Sequence, residues 1–397
     1  MQPGAIFISF DAVAVSGITV EALKVAKRLR RNDIACYLDV GYDIKVDKGN
    51  FNKPYEEEND IYQGVFTLVR VEGIEAIPHY RVPFITQLHD VLIGQRISVS
   101  AEQEEQLLAA VDEASQALAQ RIVALWESLA IRYVIVENGT LPENIIYTRA
   151  LYQAIATYGR EHGLGSFVIW RDHDLMWNSE KAIMKYGPEP YPHAVKPVRS
   201  PHIRYVTLNN HLKNQLEQWC DHQVQVEVRK NTYDFDRQGT YRNIREGLDI
   251  RDSDVLIART TRIIPQKRQD RDIWLVYRLN QLFAQSGSGR KVYLVVAGDP
   301  QEHPAYFAAL NEQVRELNIE PFVKFIGSLS HACMPSKQNA ITIEDLYGSC
   351  DLVSFLTSWG YDSYGNPIGE SISNQRCYIT TRYEYYQEVY GLSLIHI

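Results

Sequence analysis

The sequence predicts two successive α/β domains, each a parallel sheet wound by helices. Short apolar runs alternate with amphipathic helical stretches in two separate series, the pattern of doubly wound folds. Between the series, residues 233–250 carry Asp, Arg, Gln and Gly with little apolar periodicity, and the domain crossover is placed there. A length of 397 residues also exceeds one ordinary domain.

In the first series, residues 5–10 form an apolar strand, followed by a Ser16-Gly17 turn, a helix over 19–31 and a strand over 34–40. Strand, loop, helix, strand is the opening of a doubly wound domain. Residues 42–100 are less regular and rich in Tyr, Gly and charge. A long amphipathic helix is expected from Ala101 to Leu129, with Leu107, Leu108, Val111, Leu118, Ile122 and Leu125 along its apolar side. Strands over 133–136 and 166–170 flank a helix over 143–158, and strands over 202–208 and 224–228 flank one over 211–219. This first domain is taken to span 1–235.

The second domain, 236–391, repeats the logic. Strands are expected over 255–258, 292–297, 323–326, 352–356 and 378–381, with helices over 271–284, 305–317 and 343–349. After Thr381 no closing helix is legible to cover the last strands. Residues 392–397 (LSLIHI) read as a truncated or non-native tail.

Hydrophobic residues make up 45% and charged residues 23%, as in globular chains that bury sizeable cores. A net charge of -8 argues against a nucleic-acid partner. The basic run Arg28 to Arg31 reads as a solvated helix face. Five cysteines are scattered with no CxxC pair, so reduced thiols in a cytoplasm fit better than disulfides or zinc. The N-terminus reads as a strand rather than a signal peptide, and no apolar stretch approaches the roughly 20 residues of a transmembrane segment.

Two segments carry the chemistry. Asp362 to Glu370 (DSYGNPIGE) follows an apolar strand and opens a helix. Gly365 allows close backbone approach, amides at a helix start suit an anion, and Glu370 can accept hydrogen bonds from ribose hydroxyls. The alternative is an ordinary Gly/Pro turn with a solvated Glu. Arg259 to Arg268 (RTTRIIPQKR) leaves the first strand of the second domain at its carboxyl end, where α/β folds bind ligands. Arg262 and Lys267 straddle Pro265, which stiffens the loop, so two cations can be held over one diphosphate. The alternative is a basic loop without a ligand. In the first domain, His173 lies between Asp172 and Asp174. Donor contact, a salt-bridged structural loop and half of a metal site all remain open for it, whereas His89 beside Asp90 reads as structural.

These residues resemble the donor site of retaining glycosyltransferases of family four (glycosyl transferases group 1). That family has the GT-B fold, two Rossmann-like parallel α/β domains facing a cleft. It carries an Arg and a Lys five residues apart for the donor diphosphate, matched by Arg262 and Lys267. It also carries a Glu, seven residues, Glu motif containing Gly and Asn, matched in spacing by Asp362 to Glu370. The Asp345-Leu346-Tyr347 segment fits the turn preceding that motif. Glu137-Asn138, Pro142 and Asn144, then Asp172-His173-Asp174 with Trp177, are similar to a subset making mannosyl or glucosyl derivatives of small compatible solutes. The likeness covers most of residues 1–391. One position departs from it: Asp362 stands where the family has Glu, keeping the charge but shortening the side chain by a methylene.

The resemblance implies roles for these residues. Arg262 and Lys267 neutralise the leaving diphosphate, Glu370 binds the ribose, and Asp362 with Gly365 and Asn366 sits by the sugar and its phosphate. His173 contacts the donor sugar across the cleft, and Ser16-Gly17 is a small-residue turn leaving room for donor or acceptor. Glu137, Asn138 and Trp177 are acceptor-side candidates. Front-face attack through an oxocarbenium-like state uses no protein nucleophile, unlike the paired carboxylates of glycosidases, and no metal or other cofactor is obligatory. The expected function is transfer of a hexose from a UDP- or GDP-linked donor to a hydroxyl acceptor. The alternatives are a nucleotide-sugar epimerase on the same fold and a catalytically weak nucleotide-sugar-binding protein. Donor base, sugar, acceptor and oligomeric state are not legible.

Overall fold

The protein's structure, a computed structural model, describes residues 2–14, 16–55, 62, 64–179, 184–233, 241–331 and 340–391. The chain divides into two compact units, Met1–Asn231 and Thr232–Ile397.

Among the described residues of the first unit, seven strands form one sheet. They are β1 (Gly4–Ser9), β2 (Ala35–Asp39), β3 (Thr67–Leu68), β4 (Ile131–Glu137), β5 (Val168–Asp172), β6 (Ile203–Thr207) and β7 (Val226–Val228). Their order is β3-β2-β1-β4-β5-β6-β7 and every pairing is parallel. Parallel sheets are covered on both faces, and Ile6, Phe7, Val134, Val136, Val168 and Trp170 are accordingly buried. The helices are α1 (Gly17–Arg30), α2 (Val82–Leu88), α3 (Ala101–Ser128), α4 (Ile145–Glu161) and α5 (Asn210–Trp219). Each long one starts on a side chain that accepts a backbone N–H: Ser16, Ser100, Asn144 and Asn209. Ser16 is thus the N-cap of α1 and Gly17 its first residue, where a turn ahead of a helix starting at residue 19 was expected. On α3 the buried face runs through Val111, Ala114, Leu118, Ile122 and Trp126. Leu108 and Leu125 are only half-buried, lying toward the two edges of that stripe.

The irregular stretch 42–100 contains a two-residue edge strand, β3, and a short α2 running into a π-type turn, His89–Ile93. Elements this short carry too few apolar repeats to be read from periodicity.

The second unit holds β8 (Val255–Thr260), β9 (Val292–Ala297), β10 (Val323–Phe325), β11 (Leu352–Phe355) and β12 (Cys377–Thr380). They pair in parallel in the order β10-β9-β8-β11-β12. Its helices are α6 (Gln269–Gln285), α7 (Pro304–Glu316), α8 (Ile343–Ser349), α9 (Asn366–Ser373) and α10 (Tyr386–Tyr390). Alternate strand residues feed two cores: Ile257, Leu294 and Val296 join Ile273, Val276 and Leu310, whereas Leu256, Ala258 and Val295 join Leu346 and Tyr347. Helix α10 corrects the sequence reading, in which nothing after Thr381 was helical. It is only five residues long and anchored by tyrosines, Tyr386 being almost fully buried. Residues 392–397 lie outside the described residues.

In each sheet the first strand sits inside, with β1 between β2 and β4, and β8 between β9 and β11. Connections leaving such a switch point diverge and open a crevice at the carboxyl ends of the strands. In the second unit these are the loops after β8 and β11. No described helix is long and apolar enough to cross a membrane. Cys36, Cys220, Cys350 and Cys377 are free thiols; Cys333 lies outside the described residues.

Candidate functional site

The loop after β8 ends in a single 3-10 turn, Pro265–Lys267, with Pro in the first turn where its missing N–H is not needed. Arg268 follows with φ +56°, a left-handed conformation that disfavours side chains, and its guanidinium forks onto Asp270 with both bonds at 2.8 Å. The loop after β11 ends at Gly365, which has φ +81°. A Cβ there would lie 2.4 Å from the Tyr383 hydroxyl, so this start of α9 requires glycine.

Side chains from the two loops interlock. Lys267 Nζ donates to one oxygen of Asp362 and Thr357 Oγ1 donates to the other. The backbones follow: Ser358 N donates to the Gln266 carbonyl at 3.0 Å, and Arg271 Nη1 to the Thr357 carbonyl at 2.8 Å. Lys267 Nζ also lies 5.0 Å from the Tyr361 ring centroid and 5.5 Å from that of Phe355, within cation–π range. The side chains of Lys267 and Asp362 are 13% and 10% exposed, so the pair is largely shielded from solvent. Arg262 takes a different partner. It is half exposed and forks onto Glu302, in the segment between β9 and α7. The two expected diphosphate cations are therefore each held by a separate carboxylate. A diphosphate carries more charge than Glu302 and can compete for the half-exposed Arg262.

Glu370, on α9, accepts a hydrogen bond from Tyr347 Oη at 2.7 Å. Burial and the Glu370 charge keep the Tyr347 hydroxyl far above its ordinary pKa, so it stays a donor. Asn366 Oδ1 accepts from Tyr233 at 3.1 Å, and Tyr390 Oη donates to the Gly365 carbonyl at 2.8 Å while accepting from Gly369 N at 3.2 Å. Gly369 is needed because a Cβ would meet the Tyr233 ring at 2.1 Å. Thr357, Arg271, Tyr233 and Tyr390 were not expected at this site, and Tyr347 only as part of the segment preceding the motif. The one signal in the sequence was the crowding of tyrosine between 383 and 390.

In the first unit, β4 and β5 bring Glu137 opposite Arg171. Arg171 forks onto Glu137 at 2.9 and 2.7 Å, and His173 Nε2 lies 2.9 Å from the same carboxylate. Burial opposes ionisation of Glu137, but Arg171 and His173 win and hold its carboxyl down to about 2. Asn138, at φ +59°, accepts the backbone N–H groups of His173 and Asp174 at 2.6 and 3.3 Å. Asp172 accepts instead from Thr140 N and Oγ1 at 3.1 and 2.6 Å. Burial pushes its carboxyl up to about 7 despite those bonds. Glu137, Asn138 and His173 thus form one cluster. Trp177 stands apart, donating to Gln215 at 2.7 Å and packing against Trp219 and Tyr191. His89 is partly buried, which lowers its pKa. Among the described residues no group of three or more His, Cys, Asp or Glu side chains is arranged to hold a metal ion.

No protein-family profile and no curated protein matches this chain. Solved structures do. A glycosyltransferase from Rickettsia africae superimposes with a TM-score of 0.57 at 15% identity, covering 96% of this chain and 80% of its own. The Anabaena protein HepE, in complex with UDP and glucose, gives 0.55 at 13%, covering 98% and 83%. Sucrose-phosphate synthase from Thermosynechococcus elongatus gives 0.57 at 12%, also covering 98% and 83%. With its two parallel sheets, the chain has the two-domain GT-B fold of these glycosyltransferases.

Proposed function

We propose that the protein is a retaining glycosyltransferase moving a hexose from a nucleoside diphosphate sugar to a hydroxyl acceptor. The observation that carries this reading is the convergence of the β8 and β11 loops at the switch point of the second sheet, where Lys267 meets Asp362. In this reading the second unit is the donor domain and the first the acceptor domain. Lys267 and Arg262 stabilise charge developing on the leaving diphosphate, the largest demand of the reaction. Glu370, its carboxylate oriented by Tyr347, meets the ribose, and Gly365 with Asn366 offers the start of α9 to the phosphate. His173 serves the donor sugar and Glu137 holds its ring. The acceptor is proposed to be a small compatible-solute-type hydroxyl compound, and the free, scattered thiols favour a cytoplasmic setting.

UDP is the first nucleotide to test, since HepE was captured with UDP and glucose. Titration calorimetry with UDP and GDP, followed by a donor-by-acceptor activity screen, tests the proposal. Lys267→Ala is expected to weaken nucleotide binding at least tenfold and to abolish transfer. If Lys267→Ala and Arg262→Ala leave binding and activity intact, the site assignment is wrong.

One observation favours a second reading, a nucleotide-sugar-binding protein with weak turnover. Both oxygens of Asp362 are engaged by Lys267 and Thr357, at a position where the resembling family has the longer Glu. Tight UDP binding without transfer, with transfer restored in Asp362→Glu, would select it.

A further inference from the structure

Arg259 lies on β8 three residues before Arg262, and none of the roles above uses it. Its side chain is fully buried, as is that of Asp272 on α6. Nε faces Asp272 Oδ2 at 3.4 Å, Nη1 donates to the Ser354 carbonyl of β11 at 3.0 Å, and Nη2 donates to the backbone carbonyl of Lys267. Ser354 Oγ donates to Asp272, closing the network. The guanidinium also stands 5.4 Å from the centroid of Phe355, the ring that Lys267 Nζ approaches. Burial pushes the Asp272 carboxyl up, and the Arg259 charge is the strongest influence opposing that rise.

We infer that Arg259 is a positioning residue for the donor site: its buried guanidinium pins the Lys267 carbonyl and so aims Lys267 at the diphosphate. This inference rests on the proposed donor site. A charge with no exposed surface is retained against a desolvation penalty, and here one of its two hydrogen bonds is spent on a loop rather than on the sheet. The loop needs that hold. Arg268 leaves it in a left-handed conformation, which an L side chain adopts against its own preference, so the Lys267–Arg268 peptide requires an external tie to stay in place. A lysine at 259 would keep the charge opposite Asp272, but it has no rigid fork to reach two carbonyls on separate elements.

The test compares wild type, Arg259→Lys and the charge-free pair Arg259→Met with Asp272→Asn, measuring UDP and uridine affinity by calorimetry and amide exchange over 262–268. The inference expects UDP affinity to fall tenfold or more in both variants. Uridine affinity should stay within about twofold, and exchange over 262–268 should quicken by a similar factor with circular dichroism unchanged. Adding Arg268→Gly, which relaxes the left-handed turn, is expected to restore part of the UDP affinity. Equal losses for UDP and uridine, or unchanged UDP affinity and unchanged loop exchange in a folded variant, would overturn it. Should the double variant not fold, Arg259→Lys decides alone. Should wild type bind neither UDP nor GDP, the donor-site reading fails by itself, and loop exchange still shows whether Arg259 holds the Lys267 turn.

Discussion

Single residues here are held by networks whose strength depends on pH. The Glu137 carboxyl is lowered from 4.5 to about 2 by Arg171 and His173 against the cost of burial. A depressed carboxyl contributes stability that is full above its unfolded value and fades as pH falls toward the folded one. The window is therefore pH 4.5 down to about 2, and the shift corresponds to about 3 kcal/mol. Glu137→Gln is expected to lose that order of stability at pH 7 and to approach wild type only as pH falls to about 2. Denaturant melts across that range check it, and a constant offset would contradict it. Thr357→Val, which strips one donor from buried Asp362, is expected to cost about 1–2 kcal/mol in the same assay. The cations and acids of the loops after β8 and β11 were legible because charge, glycine and spacing mark them in the sequence. The contacts of Thr357, Tyr347 and Arg259 were not, since each acts through a backbone or side-chain partner more than 80 residues away or across a loop, as Arg259 does with Ser354 at a separation of 95.

At the scale of elements, periodicity located the strands because those of a parallel sheet are continuous apolar runs, and β9 and α8 have the expected bounds. It missed β3 and α10, whose two and five residues are set by tertiary packing rather than by local pattern. Helix α9 shows how packing constrains the site. It begins on a glycine in a left-handed conformation and carries Gly369 beneath the Tyr233 ring. Gly369→Ala is expected to force Tyr233 off its position and cost about 1–3 kcal/mol by overpacking. A thermal melt and the loss of the Tyr233–Asn366 hydrogen bond check this, and an unchanged melting temperature would show that the ring yields freely. Removing the Ser100 cap of α3 by Ala is expected to cost about 1 kcal/mol, without effect on nucleotide binding.

For the whole molecule, the proposed function places donor chemistry in the second unit. If the proposed function holds, UDP at 100 times its Kd adds about 2.7 kcal/mol to the stability of the species that binds it. Hydrogen exchange with and without UDP should show protection centred on 260–268 and 356–370; protection spread evenly over the chain would argue against a local donor site. The switch point that creates this site has another consequence, for the order of assembly. Strand β8 is the central strand of its sheet but the first to be made. Its contact with β11 joins residues 95 positions apart, so a ribosome adding roughly 5–20 residues per second needs on the order of 5–20 s to supply the partner. During that interval Arg259 has neither the Ser354 carbonyl nor a closed core around it. The second unit is thus expected to mature late and slowly, as long-range parallel pairing demands, and its nascent β8 edge is where a chaperone would be expected to bind.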